Sequence, residues 1–329
     1  MKILVTGGAG YIGSHVVLAC HDAGHEVVVL DDLSTGRRAA VPEEVPLVEG
    51  DIADRDLVAQ SLAGHAITAV IHMAGKVVVP ESVVEPLKYY HANTAASRTL
   101  IEACVEAGVA SFVFSSTAAV YGAPKTNPID ESAPLEPVNP YGRSKLMTEW
   151  ILADAAAAHG FGSLALRYFN VAGADPAGRT GQSTPQATHL IKVASEAAVG
   201  LRDRVEIFGE DFDTPDGTGV RDYIHVSDLA AAHVAGLRYL AAGGKSQAMN
   251  CGYGRGYSVR EVLETVGRLR GAPLDIVSAP RRLGDPPALV ADSSRLQREL
   301  DWTPQHAELD DMIASAISWE KILMQERAA

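Results

Sequence analysis

Through the first half of the chain, short apolar runs alternate with longer stretches of helical spacing. Residues 2–6 (KILVT) form an apolar run that ends in glycines, which predicts a buried strand. Apolar positions at helical spacing over 11–23 stop before Gly24 and predict a helix. The β-branched run 26–31 (EVVVLD) predicts a second strand. The alternation continues with strands over 45–49, 68–72, 111–115 and 163–168 and helices over 54–63, 86–107 and 139–159. Strands alternating with helices imply a parallel sheet covered on both faces, with right-handed crossovers.

After residue 170 the pattern changes. Residues 173–185 are rich in Gly, Pro, Asp and Thr, and residues 209–220 (GEDFDTPDGTGV) form a second turn-rich stretch. Loops of this length in a compact protein are usually functional or disordered. There is no internal repeat and no low-complexity tract beyond Ala-rich helical stretches such as 153–158.

Composition narrows the class. In 329 residues, 47% are hydrophobic and 21% charged, as in ordinary soluble proteins. A net charge of −13 speaks against a nucleic-acid partner, which usually meets a basic face. Arg221, Arg281 and Arg282 could still form a local anion site. Cys20, Cys104 and Cys251 lie far apart with no metal-ligand spacing, so no metal site or disulfide framework is expected, and buried thiols in a reducing compartment are. The N-terminal apolar run is too short for a signal peptide, and no stretch approaches the ~20 apolar residues of a membrane span. A cytoplasmic protein without a membrane partner is expected.

The first loop reads Thr6-Gly7-Gly8-Ala9-Gly10-Tyr11-Ile12-Gly13. It follows a strand and opens a helix, the context in which glycines let backbone approach a dinucleotide pyrophosphate. Amides at a helix N-terminus then face the negative charge. The second strand ends in Asp31-Asp32, where a carboxylate accepts hydrogen bonds from the adenine ribose and repels an added phosphate. NAD is therefore expected over NADP, with Arg37 and Arg38 nearby the one opposing feature. Asp51-Ile52 follows the third strand and His72-Met73-Ala74-Gly75 the fourth, both where ligands meet an open parallel sheet. His72 itself reads as a structural histidine.

Tyr141 and Lys145 are four residues apart and share a helix face. A phenol titrates near ~10, too high for a base at neutral pH. A neighbouring ammonium and a positive nicotinamide ring would favour phenolate, making Tyr141 a tuned proton acceptor. Upstream, the strand FVFS runs into Ser115-Ser116-Thr117, a hydroxyl cluster able to bond a substrate oxygen and relay its proton.

Gly-rich loop, hydroxyl cluster and Y-x-x-x-K appear here in the order and spacing of the short-chain dehydrogenase/reductase family, and the chain resembles its extended branch. Further motifs resemble the UDP-glucose 4-epimerases: TGGAGYIGSH (6–15), SSTAAVYG (115–122), NPYGRSK (139–145), LRYFNVAGADP (166–176), GTGVRDYIHVSDLA (217–230) and RRLGDPPALVAD (281–292). The resemblance covers nearly the whole chain. It implies an α/β fold: a Rossmann-type doubly wound parallel sheet with a smaller mixed α/β C-terminal substrate domain. Residues 1–170 would bind NAD tightly, with 222–242 returning to that domain. Residues 171–329 would form a discontinuous UDP-sugar-binding domain.

The resemblance also assigns roles. Tyr141 is implied as base, Lys145 as its helper, and Thr117 as the contact to the sugar 4-hydroxyl. Gly7, Gly10, Tyr11, Ile12, Gly13, Asp31, Asp32, Asp51, Ile52, Met73, Ala74, Gly75, Asn93, Ser115 and Tyr168 would surround NAD with Tyr141 and Lys145. Asn170 would contact the pyrophosphate and His189 the substrate; Leu190, Ile207 and Phe208 would lie in segments that flank uracil; Arg221, Arg282 and Asp285 would hold phosphates and ribose. Lys76 directly follows Gly75, one place earlier than the lysine of some members. Leu289 stands where members vary between bulky Tyr and small residues, so N-acetylated, pentose and uronate UDP-sugars stay open beside UDP-glucose and UDP-galactose. A nucleotide-sugar dehydratase or decarboxylase would need an acid after Thr117, where Ala118 and Ala119 stand. A non-catalytic NAD-sensing regulator would not need the tyrosine and lysine. A homodimer packing helices 86–107 and 139–159 is also implied.

Overall fold

The computed structural model describes residues 1–184, 187–282 and 285–328. Pro185 of the first turn-rich loop and Leu283 and Gly284 of the 281–292 motif lie outside them. The first half runs β1 (Lys2–Thr6), α1 (Tyr11–Asp22), β2 (Glu26–Asp31), β3 (Leu47–Glu49), α2 (Arg55–Gly64), β4 (Ala69–His72), α3 (Val79–Val84), α4 (Pro86–Tyr89), α5 (Ala96–Glu106), β5 (Ser111–Ser115), α6 (Pro140–His159) and β6 (Gly162–Tyr168). The predicted strands and helices are all present, with boundaries moved by a residue or two. One predicted helix, 86–107, is interrupted: α4 and α5 are joined through a π turn over Tyr90–Ala95. The carbonyl of Asn93 accepts the hydroxyls of Ser97 at 2.6 Å and Thr148 at 2.7 Å, side chains that compete for a backbone acceptor within the turn. Helix α3 had no sequence signal.

The second half runs β7 (Asn170–Ala172), α7 (Leu190–Ala198), β8 (Val205–Phe208), β9 (Val220–His225), α8 (Val226–Ala241), β10 (Gln247–Cys251), β11 (Gly256–Ser258), α9 (Val259–Arg270), β12 (Ile276–Ala279), β13 (Ala288–Leu289), α10 (Ser294–Glu299) and α11 (Leu309–Ala328). The main sheet has the order β3-β2-β1-β4-β5-β6-β10, and every pairing in it is parallel. The chain thus comes back to the first sheet by α8 and then supplies its seventh strand.

Period-two alternation in β1 sends Ile3 and Val5 to one face and Leu4 to the other. On the first face Val16 and Val17 of α1 and Leu229 and Leu237 of α8 complete a core. On the second, Val58, Leu100 and Leu152 of α2, α5 and α6 pack on Leu4, Val70 and Phe112. A third core joins Ile191, Val205, Tyr223, Val262 and Ile313 behind the small sheets β11-β9-β13 and β12-β8.

Helix α6, which carries Tyr141 and Lys145, has defined ends. The Asn139 side chain accepts the Gly142 amide at 2.8 Å, Pro140 occupies the first turn, and Gly160 closes the helix at φ +77°.

Candidate active site

Strands β2 to β6 deliver Asp31, Asp51, Met73, Ser115 and Tyr168 to the same edge, the carboxyl ends of the parallel sheet. The strand order reverses between β1 and β4, which opens a crevice there. The glycine loop fits a dinucleotide by its packing. Gly7 has φ +69°, and a Cβ on it would lie 2.6 Å from the Ala74 amide nitrogen. A Cβ on Gly13 would come within 2.8 Å of the Gly7 carbonyl carbon and 2.9 Å of Gly8 Cα. Asp31 is buried and accepts the Ala9 amide at 2.9 Å and the Leu33 amide at 2.9 Å. Burial raises its pKa and the two amides oppose that rise. It therefore anchors the loop at the end of β2. Asp32 accepts the amide and hydroxyl of Ser34, and Lys76 donates to that hydroxyl at 3.1 Å. Lys76 thus reaches the loop that follows β2.

Several of the expected cofactor residues have their side chains engaged within the protein. The Tyr11 hydroxyl donates to the Gly173 carbonyl at 2.7 Å, which leaves its backbone for the phosphates. The Asn93 carboxamide accepts the Lys76 amide at 2.8 Å and donates to the Lys76 carbonyl and to Ser144, each at 3.0 Å. It braces the Gly75–Lys76 turn against α6. Asp51 accepts the Ala53 amide and stays exposed, while Ile52 is buried in the core. The Ser115 hydroxyl is buried beside the Tyr168 phenol at the crevice.

Tyr141 is buried, its phenol against the Thr117 hydroxyl and its ring edge-on to Tyr89 at 6.5 Å. Burial pushes this phenol above its ordinary value, and the Thr117 bond acts against that. The lowering expected from the ammonium together with a nicotinamide ring is therefore not supplied by the protein's own groups alone. Lys145 is buried too, donates to the Ser115 carbonyl at 3.0 Å and lies 4.9 Å from the Phe114 ring centre. Burial lowers its pKa to about 8, against the pull of Glu149. Within the protein alone the proton stays on the phenol, and alkali removes the amine proton first.

At the other end of the crevice, Arg221 sits on β9 beside Leu289 of β13. Its Nη1 donates to the Val220 carbonyl at 2.8 Å, and no carboxylate lies within ion-pair distance among the described residues. Burial depresses its pKa and Asp285 opposes this. A surface pair with Asp222 is excluded. Asp222 points the other way and accepts the amides of Tyr253, Gly254 and Ala291 at 3.0, 2.9 and 3.1 Å. The Arg282 guanidinium lies 3.9 Å from the Phe208 ring centre, and Asp285 is exposed beside it. Asn170 starts β7, and His189 and Leu190 open α7, with Gln182 bonded to His189 Nδ1 at 2.9 Å. Ile207 departs from expectation. Its side chain is 1% exposed inside the third core, so only its backbone can face a base.

The chain matches the family described as NAD dependent epimerase/dehydratase over residues 3–252. The chain belongs to this family. It is 60% identical over 324 residues to the UDP-glucose 4-epimerase of Azospirillum brasilense, covering 98% of this chain and 93% of that one. A structure of UDP-glucose 4-epimerase from Brucella ovis in complex with NAD superimposes with a TM-score of 0.93 at 44% identity, over 96% of this chain and 97% of that one. A Stenotrophomonas maltophila UDP-glucose-4-epimerase with bound NAD and formylated UDP-arabinopyranose gives 0.95 at 39% identity, over the full length of both.

Behind the epimerase-family tyrosine and lysine lies a polar network that the sequence reading missed. Glu149 pairs with Arg167 through bonds of 2.6 and 3.0 Å and accepts the Ser116 hydroxyl. Arg167 donates to the Tyr121 hydroxyl at 3.0 Å, and Tyr121 donates to Asn250 at 2.7 Å. Two signals were available: Glu149 repeats the four-residue spacing of Tyr141 and Lys145, and Arg167 is a charge inside the apolar strand SLALRY.

His72 is the structural residue expected, bonded to Thr6 at 2.7 Å and Ser97 at 2.8 Å. The loop at 173–184 was also underread. Ser14 meets Thr180 at 2.9 Å, and Arg179 bridges Asp175 and Asp22 at 2.8 and 3.0 Å, pinning this segment across α1.

Proposed function

We propose that this chain interconverts UDP-glucose and UDP-galactose by transient oxidation at sugar carbon 4. The observation that carries the reading is Tyr141: a buried phenol against the Thr117 hydroxyl, one helical turn from a buried lysine. Residues 1–170 would supply most of the NAD site and 171–329 most of the UDP-sugar site. NAD bound on the glycine loop supplies the hydride acceptor at carbon 4 and a positive ring near the phenol.

The chain's own residues do the rest. Thr117 bonds the 4-hydroxyl oxygen, and Tyr141 takes and later returns its proton. Lys145, held on the Ser115 carbonyl, places positive charge behind the phenol. Arg221, half-buried without a carboxylate partner among the described residues, clamps the pyrophosphate with Arg282. Asp285 accepts a ribose hydroxyl. Binding strength sits on UDP, remote from the reacting carbon, so the sugar can turn over between the two hydride transfers.

Elimination chemistry lacks its acid. Ala118 and Ala119 follow Thr117, and Glu149, the carboxylate that does reach this turn, is taken up by Arg167. A wider UDP-sugar range is favoured by one feature: Leu289, half-buried against the cluster of Ala118, Tyr121 and Phe169, is smaller than tyrosine.

A homodimer in the cytoplasm completes the reading. Val84 and Leu87 are 80% and 81% exposed and Trp150 on α6 is 56% exposed, more apolar surface than an isolated helix pair would leave in water. Cys20, Cys104 and Cys251 are free and buried, as suits a reducing compartment. No helix among the described residues is long and apolar enough to cross a membrane.

The test is incubation of purified protein with UDP-galactose, UDP-N-acetylgalactosamine and UDP-arabinose without added NAD, followed by product chromatography. UDP-glucose is the expected product from the first. A dehydrated or decarboxylated nucleotide sugar, or full turnover by Tyr141→Phe, would overturn the reading.

A further inference from the structure

We propose that Glu149 is a positioning residue for the epimerisation, fixing the Ser116–Thr117 turn and placing a carboxylate one helical turn beyond Lys145. The proposal rests on the roles given above to Tyr141, Lys145 and Thr117. Tyr141, Lys145 and Glu149 follow one another at four-residue intervals on α6, so Glu149 lies on the far side of Lys145 from the phenol.

Its carboxylate is buried in protein contacts. One oxygen accepts the Ser116 hydroxyl, the residue between the Lys145 acceptor Ser115 and the substrate hydroxyl Thr117. Both oxygens accept the Arg167 fork. Arg167 in turn holds Tyr121, which closes the 3-10 turn 118–121 that Thr117 caps. From there the bonds run through Asn250 to the Ile129 carbonyl, and Ile129 donates to Val290 next to Leu289. One charged pair therefore sets both the hydroxyl turn and, through Tyr121, Asn250, Ile129 and Val290, the wall opposite the sugar.

Stability is a poor reason for such a pair. Two charges at 6% and 7% exposure lose their hydration, and well-packed apolar residues often do as well. A role in geometry and charge accounts for its place.

The groups facing Lys145 are few. On α6 these are Tyr141 and Glu149. On β5 there are the Phe114 ring and the Ser115 carbonyl. On β4 lies His72, neutral because burial lowers it to about 3. Asn93 of the π turn approaches at Gly75. On β6, Tyr168 faces Ser115, and Arg167 stands behind Glu149. Glu149 is the anion among them, and Lys145 feels it.

The test compares Glu149→Gln and Arg167→Met in the enzyme as purified, with NAD content checked. Both break the same ion pair, but they leave opposite charges behind. Glu149→Gln should cut kcat at least tenfold with KM for UDP-galactose within about twofold. It should also move the alkaline limb of the kcat–pH profile down by about one unit. Arg167→Met should move that limb up. The rise of melting temperature with alkaline pH should shift the same way in each variant.

A purely structural pair would lower the melting temperature in both variants and leave both limbs in place, which would overturn the proposal. If Glu149→Gln does not fold, an unmoved limb in Arg167→Met overturns it alone. Failure of the underlying reading looks different: the wild-type limb would then persist in Lys145→Met.

Discussion

Replacing Gly13 by alanine sets two effects of known sign against each other. Gly13 lies in the first turn of α1, and alanine there gains about 1 kcal/mol of helix propensity. Its methyl, however, would stand within 2.9 Å of Gly8 Cα and 2.8 Å of the Gly7 carbonyl carbon. Carbon atoms settle at about 3.5–4.0 Å, so loop and helix must part by about 1 Å. The neighbours are backbone, which cannot rotate away, and overpacking of this kind costs about 1–3 kcal/mol. A net loss of about 0–2 kcal/mol corresponds to a fall of at most roughly 6 °C in melting temperature.

The larger effect falls on the cofactor, because a displacement of about 1 Å misaligns the amides of the α1 N-terminus with their anion. Purified Gly13→Ala should carry under a tenth of the wild-type NAD, read by acid release and enzymatic cycling. Gly64→Ala is the control. It ends α2, has no atom within 4 Å of the added Cβ, and should hold or raise the melting temperature with NAD unchanged. Wild-type NAD content and stability in Gly13→Ala would refute the packing argument, as would equal destabilisation by Gly64→Ala.

Lys145→Met should trade activity for stability. The folded state lowers this lysine from 10.5 to about 8, so below pH 8 its buried charge costs roughly 3 kcal/mol. The unfolded chain holds the extra proton between pH 8 and 10.5, so wild-type stability rises with pH across that window. The variant should melt higher at pH 7, lose its advantage towards pH 10.5, and turn over at least about a hundredfold more slowly. A melting-temperature difference that does not vary with pH would count against a buried ammonium. Leu289→Ala should raise the rate on UDP-N-acetylglucosamine relative to UDP-glucose several-fold, measured by product chromatography on both substrates. An unchanged ratio would remove Leu289 from the pocket wall.

The sheet was legible because its signals are local. Each parallel strand is a short apolar run ending in a polar residue at the ligand edge, as in Glu26–Asp31 and Ser111–Ser115. The Tyr141/Lys145 pair was legible for the same reason, since four residues on a helix fix a shared face. The second half was harder to read. Strands β7, β11 and β13 have three, three and two residues, too short for any periodicity, and they exist because β9 pairs with them. The π turn at Tyr90–Ala95 depends on hydroxyls from Ser97 and distant Thr148. Ile207 shows the limit at the site. Motif position placed it near uracil, but strand alternation turns its side chain into the core and leaves Phe208 outside.

The seventh strand has a consequence for how the protein comes to exist. β10 pairs along most of the outer edge of β6, from Leu164 to Tyr168, yet it is made some 80 residues later. Until residue 251 has emerged from the ribosome, that edge is bare and open to pairing with another chain. A gene cut at residue 170 would therefore yield a sticky fragment and not a free-standing cofactor carrier. The two halves have to be inherited, synthesised and folded as a single unit.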